Sequence, residues 1–313
     1  MPALTVGKIR RLQQCAAPGG QLVILAIDHR NNLRRSLNPS NPAAVSDETL
    51  IEFKRQVVAA LGPAASAVLI DAEFGAAPII ESDALPGATG LILALERTGY
   101  SGAPNARVSE LLPHWSAQRA ARMGANGVKL LVYYHPAAPT APQIEELVRR
   151  VAADCAAAEI PLFLEPLTYS PDQAQPKLAP AARRQAVVET ARRLTAIPGV
   201  DVLKAEFPLN VAAITAESAW LAACRELTDA SHVPWVLLSA GVDFETYLRQ
   251  VAAAAQAGAS GVAVGRAVWK EAVELRPPER GAFLDSAAWE RMEQLTALCR
   301  ALARPWNEEV RDA

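Results

Sequence analysis

The sequence is poor in cysteine and histidine, and it lacks a long apolar run. Its four cysteines lie far apart among 313 residues and form no C-x-x-C pair, which argues against a disulfide framework and a thiolate zinc site. No stretch approaches the roughly 18 consecutive apolar residues that span a bilayer. No apolar signal-peptide core follows the N-terminus, so we expect a cytoplasmic protein without a membrane segment.

Charge of one sign is not concentrated anywhere in the chain. The 31 Lys and Arg nearly balance the 33 Asp and Glu, and the formal net charge is −2. This balance argues against nucleic acid as a partner and leaves a small molecule as the expected one. Hydrophobic residues make up 51% of the chain, which is enough for a large buried core. The sequence leaves open whether the chain forms a homo-oligomer.

Short apolar runs alternate with helical patterns along the chain. Because continuous apolar runs are typical of buried parallel strands, the alternation predicts one (β/α)8 TIM barrel domain over residues 1–313. An extra N-terminal helix and a C-terminal helical tail from Glu274 flank it. A doubly wound sheet is the alternative, but no G-x-G-x-x-G follows the first run. The predicted strands are 22–28, 67–71, 90–96, 127–133, 160–166, 201–208, 233–241 and 261–266, and residues 168–180 are expected to form a long mobile loop.

The sixth apolar run carries a lysine in its middle, in the stretch D-V-L-K-A-E-F-P from Asp201 to Pro208. In an alternating strand Lys204 and Glu206 share one face. A lysine that loses its hydration in such a place is deprotonated more readily, and the neutral amine can attack a carbonyl carbon. A Lys–Glu ion pair that only fills the barrel core is the alternative, and this stretch alone does not decide between them.

Other predicted strands also end in polar residues, at the end of a barrel where active sites form. Lys129 and Glu165 lie on the fourth and fifth strands, and we expect both to point into the lumen toward Lys204. Two lysines and a glutamate suit amine–carbonyl chemistry. One lysine forms an iminium, the second cation helps to keep the first deprotonated, and the glutamate moves protons. The other strand-end polar residues are Asp28, Asp71, Glu206, Ser239 and Arg266.

The last two strands end in small residues, Ser239-Ala240-Gly241 and Gly265-Arg266. Small residues let backbone N–H groups approach an anion, and barrels often bind phosphate at this corner. Arg266 would add a bidentate contact. The alternative is that the glycines only permit tight turns.

Metal catalysis is the rival chemistry. Among the four histidines, only His29 and His135 follow predicted strands, which is too few for a zinc site of about three ligands. A magnesium site formed by Asp28, Asp71 and Glu73 stays open as an alternative. We predict catalysis without a metal or a cofactor.

Five blocks of sequence carry a family resemblance. They are D-H-R from Asp28, K-L-L-V-Y-Y from Lys129, F-L-E-P-L-T-Y from Phe163, D-V-L-K from Asp201 and L-S-A-G-V from Leu238. Together they resemble the class I tagatose 1,6-bisphosphate aldolase family. The resemblance implies a (β/α)8 barrel that cleaves ketohexose bisphosphates to dihydroxyacetone phosphate and glyceraldehyde 3-phosphate without a metal.

The resemblance also implies roles for individual residues. Lys204 would be the Schiff-base lysine and Glu165 the acid/base group, with Lys129 and Asp28 as close partners. The substrate-binding residues would include Arg30 and His29. Those that hold the phosphate of the dihydroxyacetone half would be Ser239, Gly241, Gly265 and Arg266.

The first block departs from the family pattern. The family usually has glutamine where this chain has His29, and here Asn31 and Asn32 follow Arg30. This loop would face the far end of the sugar. The alternatives are therefore an aldolase of the same superfamily for 6-deoxy-6-sulfofructose 1-phosphate or for a deoxy-keto-gluconate phosphate, and, in a different class, a non-catalytic phosphosugar-binding sensor.

Overall fold

Eight parallel strands close into a barrel within residues 4–308, the part of the chain that this computed structural model describes. Around the barrel the strands follow their order in the chain, and the last strand lies beside the first. The predicted barrel is confirmed, and the outermost residues of the predicted span 1–313 lie outside the described residues. The strands are β1 Leu22–Ala26, β2 Ala67–Asp71, β3 Gly90–Ala94, β4 Gly127–Tyr133, β5 Leu162–Leu167, β6 Val202–Ala205, β7 Trp235–Leu238 and β8 Gly261–Val264.

Helices connect the strands and extend the chain at both ends. The N-terminal helix and the helical tail are as predicted. The helix Asn31–Leu37 and a hairpin of Ser101–Ala103 with Ala106–Val108 were not predicted. Within residues 4–308 no helix is long and apolar enough to cross a membrane. The helices are α1 Val6–Cys15, α2 Asn31–Leu37, α3 Asp47–Leu61, α4 Ala76–Glu81, α5 Ala117–Arg122, α6 Ala141–Ala157, α7 Pro180–Thr195, α8 Glu217–Ala230, α9 Phe244–Gln256, α10 Arg266–Trp269, α11 Glu279–Phe283 and α12 Trp289–Leu302.

Alternation along each strand separates two apolar layers. On β6, Leu203 and Ala205 belong to the large core between the strands and the helices, while Val202 belongs to a smaller cluster inside the barrel. Near the C-terminal ends of the strands this inner cluster contains the small residues Ala26 and Ala263. Because these side chains are short, the lumen stays open above them, and both alanines line the cavity found there.

Helix α1 lies against the opposite end of the barrel. Its residues Leu12 and Cys15 are fully buried in the same inner cluster as the lumen residues. Lys8 donates a hydrogen bond of 2.7 Å from Nζ to Asp201 Oδ2, and the backbone N–H of Leu162 donates to the same oxygen. Asp201, the first residue of the stretch around Lys204, therefore fixes the closed end of the barrel and takes no part in the open mouth.

Asp71 ends β2 but turns toward helix α3. Its carboxylate pairs with Lys54, and both side chains are completely buried. Lys54 also donates to the carbonyl oxygen of Ile27, while Asp71 Oδ2 accepts from the backbone N–H groups of Glu73 and Phe74. Burial lowers the pKa of Lys54, and the carboxylate of Asp71 opposes that effect. The pair therefore links helix α3 to the first two strands and has a structural role.

We expect Lys54→Met to lower the free energy of unfolding by about 3–5 kcal/mol, because it leaves the Asp71 carboxylate buried without a counter-charge. Urea denaturation measures the loss. The double variant Lys54→Met/Asp71→Asn removes the charge and keeps one acceptor oxygen, so it should regain most of the lost stability. An unchanged denaturation midpoint in the single variant would contradict this role.

Candidate active site

A cavity of about 310 Å³ lies at the C-terminal ends of the strands. This is the size of a site for a small molecule. Nine of the ten predicted site residues line this cavity. The tenth, Gly241, lies against the guanidinium of Arg266, where an added Cβ would be 3.0 Å from Cζ. The structure thus gathers the whole predicted set in one place. The predicted residues that line the cavity are Asp28, His29, Arg30, Lys129, Glu165, Lys204, Ser239, Gly265 and Arg266.

Lys204 and Lys129 share one carboxylate. Glu165 Oε2 lies 2.9 Å from Lys204 Nζ and 2.8 Å from Lys129 Nζ. The three residues stand on the adjacent strands β4, β5 and β6, so register rather than loop conformation sets these distances. Their side chains are between 1% and 9% exposed, which limits solvent screening of the charges. The arrangement places a proton acceptor in contact with each amine.

Lys129 is surrounded by carboxylates. Its Nζ lies 2.8 Å from oxygens of Asp28, Glu96 and Glu165. Burial alone would lower the pKa of Lys129, but the attraction of these three carboxylates outweighs it and holds that pKa well above the ordinary value. Lys129 is therefore a fixed cation at neutral pH and cannot act as the nucleophile.

Two of the acids beside the lysines, Asp28 and Glu165, are ionised. Burial tends to raise the pKa of Asp28 and that of Glu165, but in each case Lys129 and Lys204 outweigh it and the pKa is lowered. At neutral pH both of these side chains are therefore carboxylates. An ionised Glu165 is able to accept a proton.

Glu96 is a site residue that the sequence interpretation missed. It follows β3, is 3% exposed, and accepts from Lys129 through Oε1 and from the backbone N–H of Leu131 through Oε2. The signal was present in the sequence. The apolar run that contains β3 ends in an acid, as does the run that ends in Asp28.

The ends of β7 and β8 form the predicted phosphate corner. Gly241 has a φ of +79°, which favours glycine, and a Cβ on Gly265 would lie 2.9 Å from the carbonyl oxygen of Ala26. The backbone N–H of Gly265 points at Ser239 Oγ across 3.4 Å. In the described part of the chain no carboxylate pairs with Arg266, so this cation is available to an anion.

His29 and Arg30 follow β1 and line the cavity, and they differ in charge. Burial lowers the pKa of His29 to about 4 against the opposing charge of Asp28, so the imidazole is neutral at physiological pH. Its ring packs edge-on against Trp269 with centroids 5.2 Å apart. Arg30 is 4% exposed and donates to Glu73 at 2.9 Å and to Glu96 at 3.4 Å. Both of its neighbours are carboxylates, unlike the surroundings of Arg266.

The acids of the alternative magnesium site are directed to different partners. Asp28 pairs with Lys129, Asp71 with Lys54, and Glu73 with Arg30. Across residues 4–308 no three His, Cys, Asp or Glu side chains are grouped so that they could hold a metal ion.

Glu206, on the same face of the chain as Lys204, joins the mouth to the loop that begins at Thr168 after β5. Its Oε2 accepts from the backbone N–H and the hydroxyl of Thr168, each at 2.7 Å, and its Oε1 accepts from Arg183 on α7 at 3.1 Å. The adjoining Tyr169 ring lies 4.7 Å from the guanidinium of Arg107 on the hairpin. The loop thus begins with anchored residues, and its predicted mobility stays a prediction.

Comparison with solved structures agrees with the barrel. An archaeal fructose-1,6-bisphosphate aldolase, solved with its catalytic lysine covalently bound to the carbinolamine intermediate, superposes with a TM-score of 0.62. The match covers 94% of this chain and 99% of that one at 21% sequence identity. At this identity the likeness shows the fold.

Sequence comparison identifies the family. A family profile described as "DeoC/LacD family aldolase" matches residues 22–271. The chain is 32% identical to a tagatose 1,6-diphosphate aldolase of Listeria monocytogenes serotype 4a (strain HCC23), over 98% of this chain and 95% of the relative. It is also 32% identical to the enzyme of the same name from Staphylococcus aureus (strain JH9), over 96% and 98% of the two chains. The chain belongs to the DeoC/LacD family of aldolases.

Proposed function

We propose that this chain is a cytoplasmic class I aldolase that cleaves a phosphorylated ketose, tagatose 1,6-bisphosphate or a close analogue, to dihydroxyacetone phosphate and an aldehyde such as glyceraldehyde 3-phosphate. The observation that carries the proposal is the contact of Glu165 with both Lys204 and the fixed cation Lys129. Family membership and the names of the curated relatives support the reaction and the substrate class.

Lys204 supplies the nucleophile. Glu165 Oε2, 2.9 Å away, takes the ammonium proton, and this transfer leaves the total charge of the pair unchanged. The Lys129 ammonium lies on the other side of Glu165, 2.8 Å from the same oxygen. The transfer supplies the neutral amine without moving net charge across the barrel mouth.

Lys204 and Glu165 together carry out iminium formation and cleavage of the C3–C4 bond. The Lys204 amine adds to the C2 carbonyl of the ketose, and protonated Glu165 gives its proton to the departing hydroxyl, so that water leaves and an iminium forms. The Glu165 carboxylate removes the proton of the C4 hydroxyl, and the electrons of the C3–C4 bond move into the iminium to give an enamine. The aldehyde departs, C3 is reprotonated, and hydrolysis releases dihydroxyacetone phosphate and Lys204.

The phosphate corner orients the substrate. Strands β6, β7 and β8 are neighbours in the barrel, so Ser239, Gly265 and Arg266 lie beside Lys204 at the same mouth. A 1-phosphate held by the Arg266 guanidinium and the backbone of this corner leaves C2 one bond beyond C1, on the side of Lys204. The remainder of the sugar extends toward Glu165 and Lys129.

Borohydride trapping tests the proposal. Incubation with dihydroxyacetone phosphate and borohydride, with EDTA present throughout, is expected to add the mass of the reduced adduct at Lys204, located by peptide mapping. A sample without borohydride is the control. Absence of an adduct at Lys204 would contradict the iminium mechanism. Turnover that requires a divalent ion would favour metal catalysis, and trapping without turnover of any ketose phosphate would favour a sensor.

A further inference from the structure

The ammonium of Lys129 makes ion pairs with three carboxylates. Its Nζ lies 2.8 Å from one oxygen each of Asp28, Glu96 and Glu165. Asp28 follows β1, Glu96 follows β3, and Glu165 lies on β5. An ammonium offers three donors. Asp28 and Glu96 each accept a hydrogen bond from it, and Glu165 supplies the third ionic contact. The loss of one carboxylate therefore removes one counter-charge from a buried ammonium.

The three carboxylates differ in what else they contact. The Glu165 oxygen that contacts Lys129 also contacts Lys204, and Asp28 lines the cavity with a side chain that is 10% exposed. Glu96 is 4% exposed at its side chain and is held by the backbone N–H of Leu131 and by Arg30. Glu96 is therefore held by three groups other than the reacting amine, namely Arg30, Lys129 and the backbone N–H of Leu131.

We propose that Glu96 is a positioning residue that keeps Lys129 charged and in place while Glu165 gains and loses its proton. This inference rests on the proposed function, because it needs Glu165 to change its protonation state in the reaction. When Glu165 becomes neutral, the Lys129 ammonium loses one of its counter-charges. Asp28 and Glu96 then hold it, so the cation stays beside Glu165 for the next proton transfer.

Both oxygens of Glu96 act as acceptors, which makes a carboxylate necessary. Oε1 accepts from Lys129 at 2.8 Å and from Arg30 at 3.4 Å, and Oε2 accepts from the Leu131 N–H at 3.0 Å. A glutamine has one acceptor oxygen and one donating amide group. In either orientation its NH2 would therefore face an N–H donor, although the side chain keeps its shape.

The charged groups around Lys129 determine the direction of its response to pH. The carboxylates stabilise its protonated form, and removing the charge of Glu96 makes that proton easier to lose. Lys204 lies beyond Glu165, and Arg30 beyond Glu96. The groups that face Lys129 are Asp28 after β1, Glu96 after β3, Tyr133 on its own strand and Glu165 on β5, whereas Asp71 of β2 is turned to Lys54.

The test is the pH dependence of ketose bisphosphate cleavage by Glu96→Gln. We expect kcat to fall roughly 10- to 100-fold, the value of one hydrogen bond to a charged group, with KM little changed. We also expect the loss of activity on the alkaline side to begin at lower pH than in the wild type. Circular dichroism over the same pH range confirms that the variant stays folded.

Two further variants separate positioning from a general structural effect. Glu96→Asp keeps the charge and should restore the alkaline side of the profile. Glu73→Gln removes the other carboxylate on Arg30 without touching Lys129, and it should leave the profile as in the wild type. An unshifted profile in Glu96→Gln, or an equal shift in Glu73→Gln, would overturn the proposal. The wild-type adduct at Lys204 is measured separately, so failure of the proposed function is recognised independently.

Discussion

Replacing Lys204 by methionine is expected to lower kcat/KM roughly 10^4- to 10^6-fold, the loss that follows removal of a covalent nucleophile. Methionine has a similar length and an apolar end, so it fills the place of the lysine stem without an amine. Glu165 keeps its contact with Lys129 at 2.8 Å, so the remaining network stays paired. The measurement is the release of dihydroxyacetone phosphate, with loss of the borohydride adduct as a second readout.

Lys204→Arg is the matched control, because it keeps a cation beside Glu165 and removes the nucleophile. If Lys204 acts through an iminium, both variants are inactive. If the residue only completes a Lys–Glu ion pair in the barrel core, the arginine variant retains most of the activity. Substantial turnover by Lys204→Arg would therefore refute the nucleophilic role. Thermal unfolding of both variants shows whether the fold is kept.

Glu165→Gln is expected to lower kcat roughly 10^2- to 10^4-fold, the contribution of a positioned general acid–base group. Glutamine keeps the shape of the side chain but cannot accept the proton of Lys204 or that of the C4 hydroxyl. Lys129 retains Asp28 and Glu96, each at 2.8 Å, so its place is largely kept. Rapid-quench measurement of adduct formation and of product release shows which proton transfer is slowed.

Glu206→Gln serves as the comparison for Glu165→Gln. Glu206 lines the same cavity, but its oxygens are engaged by Thr168 and Arg183. The loss of activity in Glu206→Gln should be much smaller than in Glu165→Gln. Equal losses in the two variants would mean that any negative charge at the mouth serves, and that Glu165 has no specific role in proton transfer.

Two of the elements that the sequence left unassigned, the hairpin and helix α2, share a physical cause. The hairpin strand Ser101–Ala103 is exposed along its length and the strand that pairs with it is only half-buried, so neither carries an apolar pattern. Helix α2 buries only Leu33 and is otherwise polar. Elements that rest on the surface of a barrel need little apolar periodicity. Periodicity alone therefore does not reveal them.

Asp28, Asp71 and Glu96 show that the sequence pattern does not predict which strand-end acids point into the active site. Each follows an apolar run, and the pattern is the same for all three. Asp71 turns outward to Lys54, whereas Asp28 and Glu96 reach Lys129 inside the mouth. Lys54 comes from a helix between two strands, and nothing in the local sequence around Asp71 shows which side this lysine approaches. Packing of α3 against the barrel decides it.

The sequence by itself determined the eight strands and the face on which Lys204 lies, because buried parallel strands require continuous apolar runs and side chains alternate between faces. Only the tertiary structure decided the charge state of the site. Closure of the barrel brings Asp28 and Glu96 to Lys129 and places Glu165 between the two lysines. Charge–charge energies depend on distance and burial, and residues far apart in the chain acquire both only when the barrel closes.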